Sequence, residues 1–173
     1  EGAALAELRG EFALAIWDGA RRRLLLARDA LGQRNLFVRS DDDFHFFSSE
    51  LTPLLDDREF SCELDFESAF HYLACGLPPP GHTMARNVRR LPAGHLMWWE
   101  PGQPLLTQRY WTPLNDEPHK EGGPSTRDAI EAALDEAIAV RLARGDDKQA
   151  ILLSGGLDSS FIAATAARLI DPK

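Results

Sequence analysis

The chain has 173 residues, with 44% hydrophobic and 27% charged residues, which excludes a disordered chain and allows one domain or two small ones. Nineteen Lys and Arg against 27 Asp and Glu give a net charge of −8, which argues against an electrostatic grip on nucleic acid or on an anionic membrane. Two cysteines, Cys62 and Cys75, are too few for a disulfide framework. No apolar run reaches the roughly 20 residues of a membrane span, so we expect a cytoplasmic protein.

The first hundred-odd residues are rich in predicted strands. Short apolar runs with aromatic and β-branched residues alternate with turn residues such as Asp18 and Gly19, a pattern typical of antiparallel strand pairs. We expect the first strand to be buried and the basic residues that follow it to lie at the tip of a hairpin. The three predicted pairs comprise residues 12–17 with 24–27, 36–38 with 44–47, and 94–100 with 105–111.

One helix is predicted among these strands, over residues 66–75. Asp65 is a suitable N-cap, Gly76 ends the helix, and the prolines that follow prevent its continuation. Three apolar residues share one face and are expected to form a wall of the core: Phe66, Phe70 and Leu73.

Two groups of side chains in this region raise the question of a metal site. The three consecutive aspartates at positions 41–43 would point in different directions from a turn, so a solvated loop is favoured. His71 and Cys75 are four residues apart on the predicted helix, but no second pair of ligands lies nearby, so ordinary packing is favoured.

The pattern changes after residues 112–126, which are rich in Pro, Gly and charged residues and are typical of a linker. An amphipathic helix is predicted over residues 127–144, then a short buried strand over residues 150–153, a glycine turn, and a helix over residues 159–170. A helix, a buried strand, a glycine loop and a second helix are the opening of an α/β domain with a parallel sheet.

The glycine turn is the segment that points most directly to chemistry. Where a strand passes into a helix, unpaired N–H groups and the positive end of the helix dipole meet, and glycines let an anion approach them. A carboxylate beside a phosphate requires a cation between them, so Asp158 is interpreted as a Mg²⁺ ligand. The turn lacks the Lys of a Walker A loop and the spacing of a dinucleotide fold. The alternative is a turn that only caps a helix. The predicted polyphosphate loop consists of Ser154, Gly155, Gly156, Leu157, Asp158, Ser159 and Ser160.

The glycine loop, with Ile151, Leu152 and Leu153 before it, resembles the pyrophosphate loop of the glutamine-dependent asparagine synthases. The resemblance extends upstream, in order and spacing, over about residues 8–169. The segments similar to that family's amidotransferase half are Arg9-Gly10, Phe12-Ala13, Trp17-Asp18, Arg28-Asp29, Gly32, Leu36, Ser49-Glu50, Leu91-Pro92, Gly94-His95 and Tyr110-Trp111.

The resemblance implies an α+β protein with two parts. Residues 1–111 would be the later part of a β-rich glutaminase domain of the N-terminal-nucleophile type. After a linker over residues 112–126, residues 127–173 would begin an α/β ATP-pyrophosphatase domain. The family's nucleophile is an N-terminal Cys, but this chain begins at Glu1 and both cysteines are internal. We therefore expect a piece of a longer protein that holds no catalytic residue of the glutaminase.

The resemblance also assigns substrates and site residues. Leu152 would contact adenine, the loop residues Ser154 to Ser160 would hold the phosphates of ATP, and Asp158 would bind Mg²⁺. The parent protein would convert ATP, aspartate and glutamine to asparagine, AMP, pyrophosphate and glutamate, and a homodimer is left open. Ala27 and Asn35 depart from the family's usual Gly and Pro, which leaves the subfamily open.

Two alternatives remain from the sequence. One is a homologue that adenylates another carboxylate, as in β-lactam formation or peptide cyclisation. The other is a non-catalytic nucleotide-binding or interaction module. Arg28 and Asp29 could pair at a strand end or line a route between two sites, and the structural role is favoured because the family gives the pair no catalytic one.

Overall fold

The computed structural model describes residues 2–40, 44–56, 62–113, 126–143 and 149–170. The chain divides into two compact units, residues 1–116 and residues 117–173, each of which is described by itself. The first unit contains α1 Gly2–Ala6, β1 Ala13–Asp18, β2 Arg23–Arg28, β3 Phe37–Ser40, β4 His45–Ser48, α2 Thr52–Leu55, α3 Phe66–Cys75, β5 Val88–Arg90, β6 His95–Trp99 and β7 Leu106–Arg109. The second contains α4 Thr126–Ala143 and α5 Leu157–Ile170.

The strands of the first unit form two antiparallel sheets. One has the strand order β1-β2-β6-β7 and the other β4-β3-β5. The three predicted strand pairs are confirmed as β1 with β2, β3 with β4, and β6 with β7, with strand bounds shifted by a few residues. Neither the short strand β5 nor the central pairing of β2 with β6 was predicted from the sequence. The first unit is thus α+β, as predicted.

The β2 strand shows how the layers are stacked. Its side chains alternate, so Leu25 packs with Leu5 of α1 on one face while Leu26 packs with Val38 of the other sheet. The far face of that second sheet contributes a third cluster, which α2 covers through Leu54. The order of layers is therefore helix, sheet, sheet, helix, and the buried apolar run of β2 follows from its position between two covered faces.

The prediction that the first strand is buried is wrong. β1 lies at the edge of its sheet, with β2 as its hydrogen-bonded neighbour, and both Ile16 and Trp17 are exposed. Trp17 stacks on Trp99 with ring centroids 6.1 Å apart, and His45 of the second sheet meets the same ring edge-on. The aromatic character of β1 thus reflects ring contacts at the sheet surface, not enclosure in the core.

Helix α3 is confirmed with its predicted ends, but its role is not the predicted one. Asp65 accepts a hydrogen bond from the Ser68 N–H at 3.0 Å, and Gly76 adopts a left-handed conformation. Three residues expected to form a wall of the core are instead exposed to solvent: Phe66, Phe70 and Leu73. The helix faces the body of the unit through Ser68, so its apolar face points outward.

The second unit contains two helices in the described residues, α4 and α5, close to the predicted bounds. Arg168 Nη2 joins them by donating to both oxygens of the Asp135 carboxylate, at 2.6 and 2.7 Å. The predicted buried strand over residues 150–153 is wrong: the segment has no strand pairing and Leu152 is 94% exposed. A parallel strand requires a neighbouring strand, and the described part of this unit offers none.

Several predictions fall outside the described residues. These concern the aspartates at positions 41–43, most of the linker, and the end of the first helix of the second unit. Among the described residues, none of the helices combines the length and apolar character that a membrane span requires.

Candidate functional site

The glycine loop leads directly into helix α5, as predicted for a phosphate site. Gly155 has φ +82°, a left-handed conformation that L side chains rarely adopt, and it turns the chain toward the helix. The Ser160 N–H donates to the Gly156 carbonyl at 3.2 Å, which closes the first helical turn. The N–H groups before Ser160 lie in the first turn, where no intrahelical acceptor exists, so they are directed at the loop.

The serines of the loop bond to one another and to its backbone. Ser154 Oγ lies 3.1 Å from Ser159 Oγ, which in turn donates to the Gly156 carbonyl at 3.3 Å. The Ser154 N–H donates to Ser159 Oγ at 3.3 Å. These contacts hold the loop in a curved form while leaving its outer side open, since Ser154, Gly155 and Gly156 are exposed.

Asp158 lies in the first turn of α5 and is exposed. A carboxylate at this place stabilises the helix through the dipole, and it can also bind a cation that bridges to phosphate oxygens. Within the described residues, no group of three or more His, Cys, Asp or Glu is placed to hold a metal ion. One carboxylate with phosphate oxygens is nevertheless a set that Mg²⁺ accepts.

The structure brings the predicted loop residues together, whereas Leu152 stands apart with its side chain in solvent. The two cysteines are both exposed and free, so the ordinary packing expected for Cys75 is wrong. His71 uses its Nδ1 atom to contact the Leu77 carbonyl at 2.7 Å, a contact that ties down the end of α3.

A second candidate region lies in the first unit, around the loop that joins β2 to β3. Arg28 is buried, and its guanidinium donates to the carbonyls of Leu91 at 2.8 Å and of Gly32 at 2.6 Å. Its Nε donates to the Arg34 carbonyl. Asp29 is fully buried and accepts from two N–H groups of the same loop, at 2.9 Å each. Both side chains therefore hold the loop itself, which supports the structural interpretation in a different form from the expected ion pair.

Gly32 is required by this arrangement. It has φ +68°, and a Cβ added there would meet Arg28 Nη2 at 2.9 Å. Burial works to raise the pKa of Asp29, but the hydrogen bonds from Arg34 and Gln33 outweigh it and the pKa lies below its ordinary value. The carboxylate is thus held ionised inside the protein by backbone donors.

The loop forms one wall of a cleft of about 500 Å³ that sequence reasoning did not predict. Its lining carries both signs of charge, and Arg34 pairs with Glu11 at 3.1 Å. The family resemblance could have indicated this cleft, because several of the segments that resemble the family lie together in its lining. The cleft is lined by Glu11, Phe12, Ala13, Gln33, Arg34, Asn35, Ser49 and Glu50.

Comparison with known proteins shows which protein families the two successive parts of the chain match. A family model described as a glutamine amidotransferase domain matches residues 2–111, and one described as asparagine synthase matches residues 129–173. The chain belongs to the glutamine-dependent asparagine synthase family, of which it covers amidotransferase sequence and the start of the synthetase sequence.

Individual relatives agree with this assignment. A Mycobacterium tuberculosis protein named "Putative asparagine synthetase [glutamine-hydrolyzing]" is 36% identical over 171 residues, which are 95% of this chain and 26% of that protein. Asparagine synthetase 3 of Bacillus subtilis is 29% identical, over 92% of this chain and 26% of its own length. Asparagine synthetase 1 of Saccharomyces cerevisiae is 32% identical, over 93% and 23%. The chain spans about a quarter of the length of the curated relatives it matches.

Proposed function

We propose that this chain belongs to an enzyme that makes asparagine from aspartate, ATP and glutamine. In this proposal residues 1–111 are amidotransferase sequence, residues 112–126 are a linker, and residues 127–173 begin the ATP-pyrophosphatase domain. The observation that carries the proposal is the open glycine loop at the start of α5, which follows amidotransferase sequence in the same chain.

The glycine loop has the polar groups that a pyrophosphate needs. Backbone N–H groups, the serine hydroxyls of Ser154, Ser159 and Ser160, and the dipole of α5 all favour negative charge at one point. When the aspartate β-carboxylate attacks the α-phosphorus of ATP, the bond to pyrophosphate breaks, and the loop stabilises the leaving charge. Gly155 and Gly156 keep the surface open to the phosphate oxygens, since a Cβ would take up that space.

Asp158 is the residue that would hold Mg²⁺ together with phosphate oxygens. The ion supplies neutralisation of phosphate charge when it is bound. Leu152 is assigned to the adenine by the family resemblance, and its 94% exposed side chain is available to such a flat apolar partner. The full assigned set is Leu152, Ser154, Gly155, Gly156, Leu157, Asp158, Ser159 and Ser160.

The second substrate of the proposed enzyme is ammonia released from glutamine. We assign no nucleophile for that step to this chain, because Cys62 and Cys75 are internal thiols and neither can offer the α-amino group of an N-terminal Cys as a base. To the proposed enzyme the first unit contributes two antiparallel sheets packed face to face and the cleft beside the loop of residues 29–35.

A second candidate substrate is favoured by a specific observation. A Penicillium rubens protein named "Amidase chyE" is 27% identical over 96% of this chain, so a relative with a different name also aligns with almost the whole chain. Asn35 stands where the family usually has Pro. Its side-chain oxygen Oδ1 accepts a hydrogen bond from Arg28 Nη2 at 3.3 Å, so this departure is part of the structure of the loop over residues 29–35. In this alternative the adenylation is retained and the carboxylate differs.

Calorimetry of the 173-residue chain with Mg-pyrophosphate tests the loop by itself. We expect weak binding that Asp158→Asn removes. Asp128→Asn is the matched control, because Asp128 also lies in the first turn of a helix but is not part of the predicted polyphosphate loop. Binding that survives Asp158→Asn would contradict the assigned metal role, and absence of binding in the unaltered chain would contradict the loop as a site.

A further inference from the structure

The end of the first unit is tied to the loop of residues 29–35, which forms one wall of the cleft and is named the cleft loop. Tyr110 and Trp111 follow strand β7 directly and lie beyond its pairing with β6. Both remain bonded to the unit, because their N–H groups donate to the Gly94 carbonyl at 2.9 and 3.2 Å. These three residues close a turn at the end of the sheet, and we name them the exit junction.

Two hydrogen bonds join the exit junction to the start of the cleft loop. The Tyr110 hydroxyl donates to the Arg28 carbonyl at 2.8 Å, and the Gly94 N–H donates to the Asp29 carbonyl at 2.9 Å. The Asp29 N–H donates in turn to the carbonyl of Phe12, which lines the cleft. The exit junction is therefore connected both to the loop wall and to a second part of the cleft lining.

The Tyr110 ring is packed as well as bonded. It lies against the buried cluster that contains Ala27 and Leu96. Burial raises the pKa of its hydroxyl above the ordinary value, and the nearby Asp29 carboxylate adds to the rise. The hydroxyl thus stays protonated as a donor at neutral pH, and the packed ring holds it on the Arg28 carbonyl.

Gly94 marks how closely the exit junction and the cleft loop approach each other. It has φ +65°, and a Cβ added there would lie 2.8 Å from the Trp111 carbonyl oxygen and 3.5 Å from that of Ala30. The first of these contacts is with the junction and the second is with the cleft loop. A side chain at this position would push the two apart, so their close approach depends on glycine.

We propose that Tyr110 is a positioning residue whose hydroxyl holds the exit junction and the cleft loop together as one rigid body. The amidotransferase match ends at residue 111 and the synthetase match begins at residue 129, so the junction is where the chain leaves one sequence for the other. The consequence for activity rests on the proposed function, in which ammonia released by one part is consumed by the other. A loosened junction should therefore let more of that ammonia escape into solvent before it reaches the adenylate.

Amide hydrogen exchange of the 173-residue chain tests the rigid connection directly. Tyr110→Phe removes the hydroxyl and keeps the ring, so we expect amides of the exit junction and of the cleft loop to exchange faster together, by about 2- to 10-fold. Tyr72→Phe is the matched control, because it makes the same change at the other tyrosine of the chain, which is 43% exposed on α3. Faster exchange in the junction alone would overturn the proposal. Equal acceleration in strand β3 would also overturn it, because it would show a general loss of stability.

In the complete gene product the measured quantity is the ratio of glutamate to asparagine formed from glutamine. Tyr110→Phe should raise this ratio at least about twofold, the lower end of the effect of one hydrogen bond, because ammonia is released without being used. Pyrophosphate release with an ammonium salt in place of glutamine should be unchanged. A general loss of stability would lower both activities together and leave the ratio unchanged, so the ratio separates positioning from stability.

Gly94→Ala is a second variant, which displaces the junction and keeps the Tyr110 hydroxyl, and it should raise the ratio further. Circular dichroism checks the fold of each variant. An unchanged ratio in Tyr110→Phe would overturn the proposal, and so would an equal rise in Tyr72→Phe. If the unaltered gene product forms no asparagine, the proposed function fails, and the exchange measurement alone then decides the role of Tyr110.

Discussion

The loops around Gly32 and Gly155, two glycines with positive φ, use their polar groups in opposite directions. In the loop of residues 29–35 the buried Arg28 and Asp29 bond to the backbone of the loop, so its hydrogen-bonding capacity is consumed inside the fold. In the glycine loop the serines bond locally and the outer side faces solvent. Family resemblance covers both loops, so resemblance does not distinguish them. The direction of the polar groups does: it gives the first loop a structural role, and it supports our proposal that the second loop binds a ligand.

The largest effect is expected from breaking the inward-facing loop. Arg28→Met removes a buried donor that serves the carbonyls of Leu91, Gly32 and Arg34, and it leaves those carbonyls without their partner. We expect the free energy of unfolding to fall by about 3 to 5 kcal/mol. Tryptophan fluorescence in urea measures it, since Trp17, Trp98, Trp99 and Trp111 all lie in the first unit.

Arg21→Met is the matched control for this measurement. The Arg21 side chain is 73% exposed and pairs with Asp18 in the β1–β2 turn, so its loss should change stability by less than about 1 kcal/mol. An equal effect of the two substitutions would contradict the structural role of Arg28.

The outward-facing loop is tested through activity. In the complete gene product, Asp158→Asn should lower ATP-dependent pyrophosphate release by about 10² to 10³, the size of loss seen when one stabiliser of developing charge is removed. Glutamine hydrolysis should be unchanged, because Asp158 lies in the synthetase sequence. Pyrophosphate release at the original rate would contradict the assignment.

A smaller effect on the same loop separates backbone shape from chemistry. Gly155→Ala places a methyl group where nothing lies within 4 Å, so its cost arises from the positive φ, at about 1 to 2 kcal/mol. This strain should disfavour the loop conformation that binds phosphate, so we expect the affinity for Mg-pyrophosphate to fall by a factor of about 5 to 30. Gly156→Ala is the comparison, because it also adds a Cβ to the surface that faces the phosphate but requires no positive φ, and the added carbon would lie 3.4 Å from Ser154 Oγ. A larger loss of affinity in Gly155→Ala than in Gly156→Ala therefore measures the effect of backbone shape. Equal affinity in Gly155→Ala and the unaltered chain would show that the turn shape is not needed.

The smallest effect is the pH dependence of stability that Asp29 of the first loop contributes. The pKa of Asp29 lies below its ordinary value of 3.8, so its stabilisation is complete above that value and is lost as the pH falls through the folded-state pKa. The chain should therefore become easier to unfold with urea at pH values below about 4, and Asp29→Asn should show a weaker pH dependence. A pH profile that is the same in both proteins would contradict the role of the Asp29 carboxylate.

The sequence predicted features that depend on neighbouring residues. The caps of α3 and the glycine at its end were correct because Asp65 and Gly76 act on the adjacent turn. The hairpins were correct because their turn residues and apolar runs are local, and the position of the glycine loop was correct for the same reason.

Features that depend on distant partners could not be predicted in this way. The apolar spacing of α3 is the same whether the face is covered by the core or exposed, and the run over residues 150–153 is apolar although no strand pairs with it. The order of the strands, the short strand β5 and the cleft all require contacts between segments far apart in the chain. Pairing between distant segments has little effect on the local residue pattern of either segment, so it cannot be read from that pattern.

The central claim is that the complete gene product adenylates aspartate. Pyrophosphate release measured with ATP and Mg²⁺, in the presence and absence of aspartate, tests it most directly. We predict release that requires aspartate, matched by formation of AMP and, with glutamine, of asparagine. Release that requires a different carboxylate and proceeds without aspartate would contradict the claim.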